Sequence, residues 1–371
     1  MTAELFFNIA TTLINVIFIL AVTALVGFGI FMLGRALRRF TVDRLVYGRR
    51  FSEECVYEGD TAELVETLWN PTVLPVFLVD VESYFYEGLQ IGGYEAARGE
   101  MRYFVSRYHL MPFEKVTRRI EVKCIRRGYY KLTTASIFRG GDDRCIESEA
   151  VLYVYPRVDA LRENMESVYG LGDALSRNRL IYDPFSVSGI REYRQGDPFH
   201  TINFKASARL VSGGHPRFAV NRYDYCASNR YYIYQNFHLP KGRELLFDAY
   251  EQLVEDGLRI SASLVVKAID SGGVCAFAAN CGTVDGRRQI GFPLLGGELH
   301  KQDILKEMSL TRAMDGVSFA SILAADVKRG VTGSEIFIVT PYVDGLVSEQ
   351  IALFEYLGNT VKVITLKEGL S

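Results

Sequence analysis

No Asp, Glu, Lys or Arg occurs between Leu5 and Leu33, and no two cysteines among the 371 residues are spaced C-x-x-C. The first absence removes the charged face that a surface helix of that length carries. The second removes zinc-ribbon spacing. Histidine is scarce: His109, His200, His215, His238 and His300 form no H-E-x-x-H run and flank no nucleophile motif. There is no G-x-S-x-G elbow and no G-x-x-x-x-G-K-[ST] phosphate loop, and the Gly272-Gly273 and Gly296-Gly297 pairs read as turns. Excess charge of one sign is missing too, since 42 Lys+Arg face 44 Asp+Glu for a net −2. A nucleic-acid binder normally shows a strongly basic face, so nucleic acid is not an expected partner. At 49% hydrophobic residues the composition excludes a disordered chain. Taken together, the absences argue for a protein that is not an enzyme, with no catalytic residue, no cofactor and no metal. Sites assembled from distant residues escape a motif search, which keeps a hydrolase at a domain junction as the least favoured alternative.

What is present begins with the apolar run itself. Asn8, Thr11, Thr12 and Asn15 dilute its first half, leaving Ile14–Leu33 as the cleanest stretch. A helix needs about 20 such residues to cross a hydrocarbon core of about 30 Å. A cleaved leader is not expected, because no basic segment precedes the run and the run is longer than the usual 7–15 residues. Glu4 alone charges the N-terminal flank, whereas Arg35, Arg38, Arg39, Arg44, Arg49 and Arg50 follow it against Asp43. The positive-inside rule then places the remainder on the cytoplasmic side of a single-pass cell-membrane anchor. The lipid bilayer is thus an expected partner, and the arginines suit anionic headgroups. Six scattered cysteines read as reduced, mostly buried thiols; three disulfides on an outward-facing domain are the alternative.

Past the anchor, short alternating runs take over. They are centred on Cys55–Leu68, Leu74–Val81, Arg102–Tyr108, Arg118–Arg126, Gly128–Ser136 and Ala150–Tyr155, with turn residues between. Strands at this spacing suggest an antiparallel β-sandwich, Ig- or fibronectin-like. The aromatics Tyr84, Phe85, Tyr86, Tyr103, Phe104, Tyr129 and Tyr130 read as core and cross-strand packing rather than a carbohydrate platform.

A dense two-sign cluster follows: Arg191, Glu192, Arg194, Asp197, Lys205 and Arg209. Gly196-Asp197-Pro198 reads as a turn leading into a helix, with Asp197 as N-cap and Pro198 at the first helical position. Ile202, Ala206 and Arg209 would then share one helix face. Such a cluster either fixes a connection against a neighbouring domain or binds a charged partner. The run Gly189-Ile190-Arg191-Glu192-Tyr193-Arg194-Gln195-Gly196-Asp197, followed by Ile202-Asn203-Phe204-Lys205-Ala206-Ser207-Ala208-Arg209, resembles the signature of the family catalogued as domain of unknown function 58. That signature is, in outline, G-I-R-E-Y-x-x-G-D, a spacer, then R-x-I-x-W-x-x-x-A-R. This chain departs from it in having His200 or Thr201 in place of Arg and Phe204 in place of Trp. The resemblance implies a membrane segment, a β-sandwich-like region, the signature and a C-terminal domain resembling a von Willebrand factor A domain. Family members often carry a membrane hairpin, whereas one span is visible here.

The C-terminal part alternates strands and helices: Arg230–Phe237, Gly242–Ile269, Gly273–Ala279, Leu299–Met308, Phe319–Lys328, Glu335–Thr340, Ser348–Tyr356 and Thr360–Leu366. This order implies an α/β domain with a parallel sheet covered on both faces. Ligands of such sheets sit at the carboxyl ends of the strands. By the resemblance, that edge would hold a divalent cation on D-x-S-x-S after the first strand, a loop Thr and a later Asp. Here the first strand runs into Gln235-Asn236-Phe237-His238, Gly316-Val317-Ser318 stands in for the Thr loop, and Asp344 follows Thr340-Pro341. Asn236, Ser318 and Asp344 therefore mark a degenerate metal site that would serve as a contact surface.

The expected organisation is a transmembrane anchor with a basic flank (1–40), a β-sandwich (41–160), a signature connector (161–222) and a von Willebrand factor A-like α/β domain (223–371). The expected function is that of a membrane-anchored interaction or adaptor protein. By resemblance its partner is a MoxR-type AAA+ ATPase acting on a client, with Arg191, Glu192, Tyr193, Arg194, Gly196, Asp197, Lys205 and Arg209 locking the domains or taking part in docking. A non-catalytic scaffold in cell-envelope biogenesis is the alternative. A homo-oligomer is compatible with either.

Overall fold

The computed structural model describes residues 2–91, 102–158, 180–194, 202–209, 218–227, 230–239 and 247–366, and the chain divides into two compact units, Met1–Tyr155 and Pro156–Ser371. The first unit opens with helix α1 (Thr2–Arg44), unbroken because its apolar run contains neither Pro nor charge. Within it Thr12–Arg44 is long and apolar enough to cross a membrane, and its most apolar window has no residue buried by protein.

Among the described residues nine strands follow: β1 (Val46–Phe51), β2 (Cys55–Tyr57), β3 (Thr61–Trp69), β4 (Val76–Phe85), β5 (Leu89–Ile91), β6 (Arg102–Leu110), β7 (Lys115–Cys124), β8 (Gly128–Arg139) and β9 (Asp142–Tyr155). They form two sheets, β1-β3-β7-β5 and β2-β9-β8-β4-β6, antiparallel except for the edge pair β2 and β9. Period-2 alternation points one side chain in two inward. Phe51, Leu64, Ile91 and Val122 from one sheet meet Phe85, Leu132, Leu152 and Val154 from the other in one apolar core. A second core gathers Tyr47, Leu68, Val76, Val79, Tyr108, Leu110 and Ile137, together with Val42 from the end of α1 and Leu45 just after it. The membrane-type helix and the sandwich therefore share a core. Of the aromatics read from sequence, Phe85 and Tyr130 are buried, while Tyr84 and Tyr86 are exposed.

The last turn of α1 is held at its carbonyls. Arg144 donates from Nη1 to the main-chain oxygens of Val42 (3.2 Å), Asp43 (2.6 Å) and Leu45 (3.0 Å), and Arg139 Nη1 donates to Thr41 Oγ1 at 2.8 Å. A cation at a helix C-terminus satisfies orphan carbonyls and opposes the macrodipole.

The second unit contains an antiparallel ribbon, β10 (Leu180–Glu192) with β11 (Ala219–Ala227), and the one-turn helix α2 (Phe204–Ser207). Then come β12 (Arg230–Gln235), α3 (Phe247–Asp270), β13 (Val274–Ala279), β14 (Cys281–Thr283), β15 (Ile290–Leu295), α4 (Glu298–Ser309), β16 (Thr311–Asp315), α5 (Phe319–Lys328), β17 (Glu335–Thr340), α6 (Gly345–Tyr356) and β18 (Thr360–Thr365). The main sheet has the order β15-β13-β12-β17-β18, with β14 and β16 paired separately. Tyr231 and Ile233 are buried on the opposite side of β12 from Tyr234, which packs with Phe319, Leu323, Val347 and Phe354 of α5 and α6.

Two expectations are corrected here. The sheet is mixed rather than wholly parallel, since β15 runs antiparallel to β13. The link from β13 to β15 carries only the short strand β14 and a turn, and a parallel return needs a crossover of a dozen or more residues. The second correction concerns the helix expected from Asp197. Ile202 lies in an isolated β-bridge to Val220, and α2 starts only at Phe204, where Asn203 Oδ1 accepts from Ala206 N at 2.9 Å. Residues 195–201, with Gly196 and Asp197, lie outside the described residues.

Cys124 and Cys275 are buried thiols, Cys281 is buried, and Cys145 is an exposed thiol. Burial chiefly, with the Asp60 carboxylate adding to it, pushes the Cys124 thiol up to about 12, and burial raises Cys275 as well. A protonated, buried thiol is a poor nucleophile. Iodoacetamide on the native chain is therefore expected to modify Cys145 rapidly, and Cys124 and Cys275 only after denaturation. Peptide mapping that found Cys275 alkylated in the native protein would contradict this packing.

Candidate functional site

The carboxyl edge of the α/β sheet is built where β12, β13 and β17 end side by side. Parallel pairing brings Gln235 level with Ala279 and Val339, so the next residues, Asn236, Asn280 and Thr340, converge. All three are buried. Asn236 Nδ2 donates to Thr340 Oγ1 at 3.0 Å, and Asn236 Oδ1 accepts from Asn280 Nδ2 at 2.9 Å and from His238 N at 3.0 Å. Asn280 Oδ1 in turn accepts from Phe237 N at 2.8 Å, and Thr340 Oγ1 donates to the Tyr342 carbonyl at 2.6 Å. Neutral amides and a hydroxyl thus satisfy one another at the carboxyl edge of the sheet. Buried polar groups of this kind rigidify a site when every member is paired.

Around this net, burial chiefly and then the Asp344 carboxylate hold the Tyr342 phenol above its ordinary pKa, opposed by a hydrogen bond with Asn236. Asp344 is spent as the N-cap of α6, accepting from Val347 N at 2.8 Å. Ser318 is the N-cap residue of α5, is exposed, and makes no side-chain cap bond. Its loop nevertheless reaches the net's flank: a Cβ on Gly316 would lie 2.1 Å from the Asn280 carbonyl oxygen. Only glycine fits that approach. Of the three residues read from sequence, Asn236 is therefore central, Asp344 is structural, and Ser318 borders the edge. Asn280 and Thr340 were missed. Their signal was positional, a polar residue directly after the apolar strand β13 and another closing the apolar strand β17.

The signature residues lie elsewhere in the same unit. Arg191 and Glu192 end β10, in register with Val220 and Ala219, and are exposed. Arg191 Nη1 reaches the Glu192 carbonyl at 3.2 Å. Tyr193 N donates to the Phe218 carbonyl at 2.8 Å, and their rings meet edge to face at 6.4 Å. Asn203 N donates to the Ala219 carbonyl at 2.8 Å, and Ala219 N donates to Ser207 Oγ at 2.9 Å. Ala219 and Val220 are buried beneath this wrap, while Arg194, Lys205 and Arg209 are exposed. The described ends of the run, 189–194 and 202–209, thus both bond to the Phe218–Val220 segment, with Arg194, Lys205 and Arg209 exposed.

A cleft of about 480 Å³ opens at the opposite end of the main sheet, lined by Arg230, Tyr232, Phe292, Asp326, Arg329 and Ser334 among others. Asp326 is engaged there, accepting from Tyr234 Oη at 2.8 Å and from Arg329 Nη1 at 2.6 Å. This end carries the amino termini of the parallel strands, whereas open α/β sheets bind ligands beyond the carboxyl ends. The edge at Asn236 is the better-placed candidate. Among the described residues no group of three or more His, Cys, Asp or Glu is arranged to hold a metal ion.

No family model and no curated protein matches the chain. Solved structures similar to part of it include the CARDB domain of a Pyrococcus furiosus protein in complex with di-metal ions, at 14% identity and a TM-score of 0.22, covering 30% of this chain and 91% of that one. A Salmonella alpha-2-macroglobulin mutant is similar at 15% identity and a TM-score of 0.21, over 30% of this chain and 7% of that one. The alkylpurine DNA glycosylase AlkC of Pseudomonas fluorescens, bound to DNA containing an abasic site analogue, is similar at 15% identity and a TM-score of 0.21, over 30% of each chain.

Proposed function

We propose that the protein is a membrane-anchored adaptor whose C-terminal α/β unit docks another protein through the carboxyl edge of its sheet, without metal. The observation that carries this reading is the closed net of Asn236, Asn280 and Thr340, which uses neutral side chains at the place where an open α/β sheet presents its ligand groups. The strand order, with an antiparallel β15 beside three central parallel strands, supports a von Willebrand factor A-like reading of this unit. Next to the net, Val343 and Leu346 are exposed at the start of α6 and offer apolar anchors on a rigid element. The helix α1, seated in the sandwich by Arg139 and Arg144, supports a retained anchor, and the arginines on its C-terminal flank favour a cytoplasmic placement of both units. The signature resemblance to the family of domain of unknown function 58 makes a MoxR-type AAA+ ATPase the partner of choice, with the outward cations Arg194, Lys205 and Arg209 assisting.

Affinity capture of the full chain from gently solubilised native membranes is expected to recover an AAA+ ATPase identified by mass spectrometry. The Leu346→Glu variant, altered at an exposed position, is expected to lose it while melting like wild type. Recovery of no ATPase with the wild-type chain, or equal recovery with the variant, would defeat the reading.

A further inference from the structure

Beyond the helix that reads as a span, the sandwich carries a second apolar surface at the end where α1 enters it. Register fixes which loops lie there. Val46 opposes Trp69, Trp69 opposes Lys115, and Val76 opposes Leu110, so the β3–β4 and β6–β7 loops sit beside the end of α1. The β8–β9 hairpin joins them, since its Arg139 and Arg144 hold the last turn of the helix. These loops expose Val73, Met111 and Phe113, the start of β4 exposes Phe77 and Leu78, and the chain's one tryptophan, Trp69, is 41% exposed beside them.

The exposure is built in. A β-bulge between Val76 and Val79 breaks the alternation of β4, so that Phe77 and Leu78 both point away from the core. Among the described residues, Leu78 and Phe113 are the non-glycine residues held at positive φ, 55° and 62°. Bulky side chains rarely adopt that conformation, and a backbone that imposes it on two exposed apolar residues marks a surface with a use. Nor are the loops slack. Buried Asn70 donates from Nδ2 to the carbonyls of Leu74 (2.8 Å) and Met111 (3.0 Å), and Phe113 N donates to the Thr72 carbonyl at 3.3 Å.

We infer that this end of the sandwich is a monotopic membrane contact: Val73, Phe77, Leu78, Met111 and Phe113 enter the headgroup layer of the bilayer that α1 crosses. The inference rests on reading α1 as a span. Helical rise supplies the distance. From Leu33, the last residue of the apolar run, to Thr41, buried in the sandwich, the helix climbs about 12 Å at 1.5 Å per residue. A headgroup layer is roughly 5–8 Å deep on each side, so loops reaching a few ångströms back along the helix meet lipid. Charge agrees with this placement. Arg35, Arg38 and Arg39 occupy the intervening turns, Arg38 Nε is buried without a partner, and Arg38 adds to burial in lowering the pKa of Arg139. Two guanidinium groups in this position suit a lipid phosphate. A tryptophan at the same level is the side chain that favours the membrane interface.

The test uses the full chain in vesicles of phosphatidylcholine and phosphatidylglycerol that carry spin-labelled lipid. Trp69→Phe removes the native fluorophore, and Phe113→Trp or Leu20→Trp then supplies a single reporter. The expected result is that Phe113→Trp emission is blue-shifted and quenched by a label near the headgroup, while Leu20→Trp is quenched by a label deep in the acyl chains. Quenching at position 20 with none at position 113 would overturn the surface contact and leave the span standing. Quenching at 113 alone would discard the span and, with it, a contact made in the bilayer that α1 crosses, and quenching at neither would overturn both.

Discussion

Glu66→Ala is expected to destabilise the sandwich by about 3–5 kcal/mol, the usual cost of leaving one member of a buried charged network without its partners. Glu66 lies at the middle of β3 and is 1% exposed. Its Oε1 accepts from Tyr47 Oη at 2.7 Å, and its Oε2 accepts from Ser106 Oγ at 3.0 Å and Tyr108 Oη at 2.9 Å. Tyr47 belongs to the same sheet, whereas Ser106 and Tyr108 belong to the facing one, so a single carboxylate ties the two layers together. Burial first, and Glu66 after it, hold both phenols well above their ordinary pKa, which keeps them protonated donors at every physiological pH. The counter-charge is Arg49, itself buried, which donates to Ser83 Oγ (3.0 Å), the Ser148 carbonyl (3.0 Å) and the Thr134 carbonyl (2.9 Å). Removing the carboxylate leaves the Tyr47 and Tyr108 phenols and the Ser106 hydroxyl without their acceptor, and the Arg49 guanidinium without its counter-charge. For a unit of this size the loss corresponds to roughly 6–20 °C in the sandwich's melting transition. The double change Glu66→Leu with Arg49→Met removes both charges, and it is expected to melt above Glu66→Ala because no buried charge is left unmatched. Calorimetry on the detergent-solubilised chain measures both. A Glu66→Ala protein melting with wild type would show that the network is not holding the sheets.

That network was legible in part. Ala62, Leu64, Glu66 and Leu68 form one alternating set on β3, so a carboxylate stood at an inward position in plain sight. What the set does not show is that Tyr108 and Ser106 arrive opposite it from the other sheet. The α/β elements were more transparent: the bounds of α5 and β17, Phe319–Lys328 and Glu335–Thr340, coincide with those read from hydrophobic pattern. There burial on one face and short connections leave few alternatives. The β8–β9 hairpin was read too short, because Asp142–Glu149 carries charge rather than apolar alternation. Its solvated face hides the strand, while Gly140 and Gly141, at φ 55° and 88°, supply the positive angles its tight turn needs. At the sheet's carboxyl edge Asn236 was legible as the residue following the first strand of the α/β unit. The three-residue net around it was not, since Asn280 and Thr340 come from separate strands and meet only in the folded sheet.

Asn236→Asp tests whether that edge accepts a carboxylate. The amide donates once and accepts twice, and aspartate keeps only the accepting half. An oxygen would then face Thr340 Oγ1, whose proton is already given to the Tyr342 carbonyl at 2.6 Å. Near pH 7 the variant is expected to lose about 2–4 kcal/mol, the cost of a buried charge without a matching donor. The pH dependence has a definite sign. Burial raises the folded-state pKa of the introduced carboxyl above its unfolded value of about 3.9, so the native state binds more protons than the unfolded one between the two values. Stability relative to wild type is therefore close to unchanged below about pH 4, and it falls as pH rises through the window until the full loss is reached above the folded pKa. Melting curves of both proteins across that range follow the difference directly. Millimolar Mg²⁺ is expected to restore nothing, because Asp344 is committed to capping α6 and Asn280 offers its amide nitrogen, not its oxygen, to position 236. Recovery of the wild-type melting point on adding Mg²⁺ would mean that the edge still has cation-competent geometry, and the metal-free docking face would have to be abandoned.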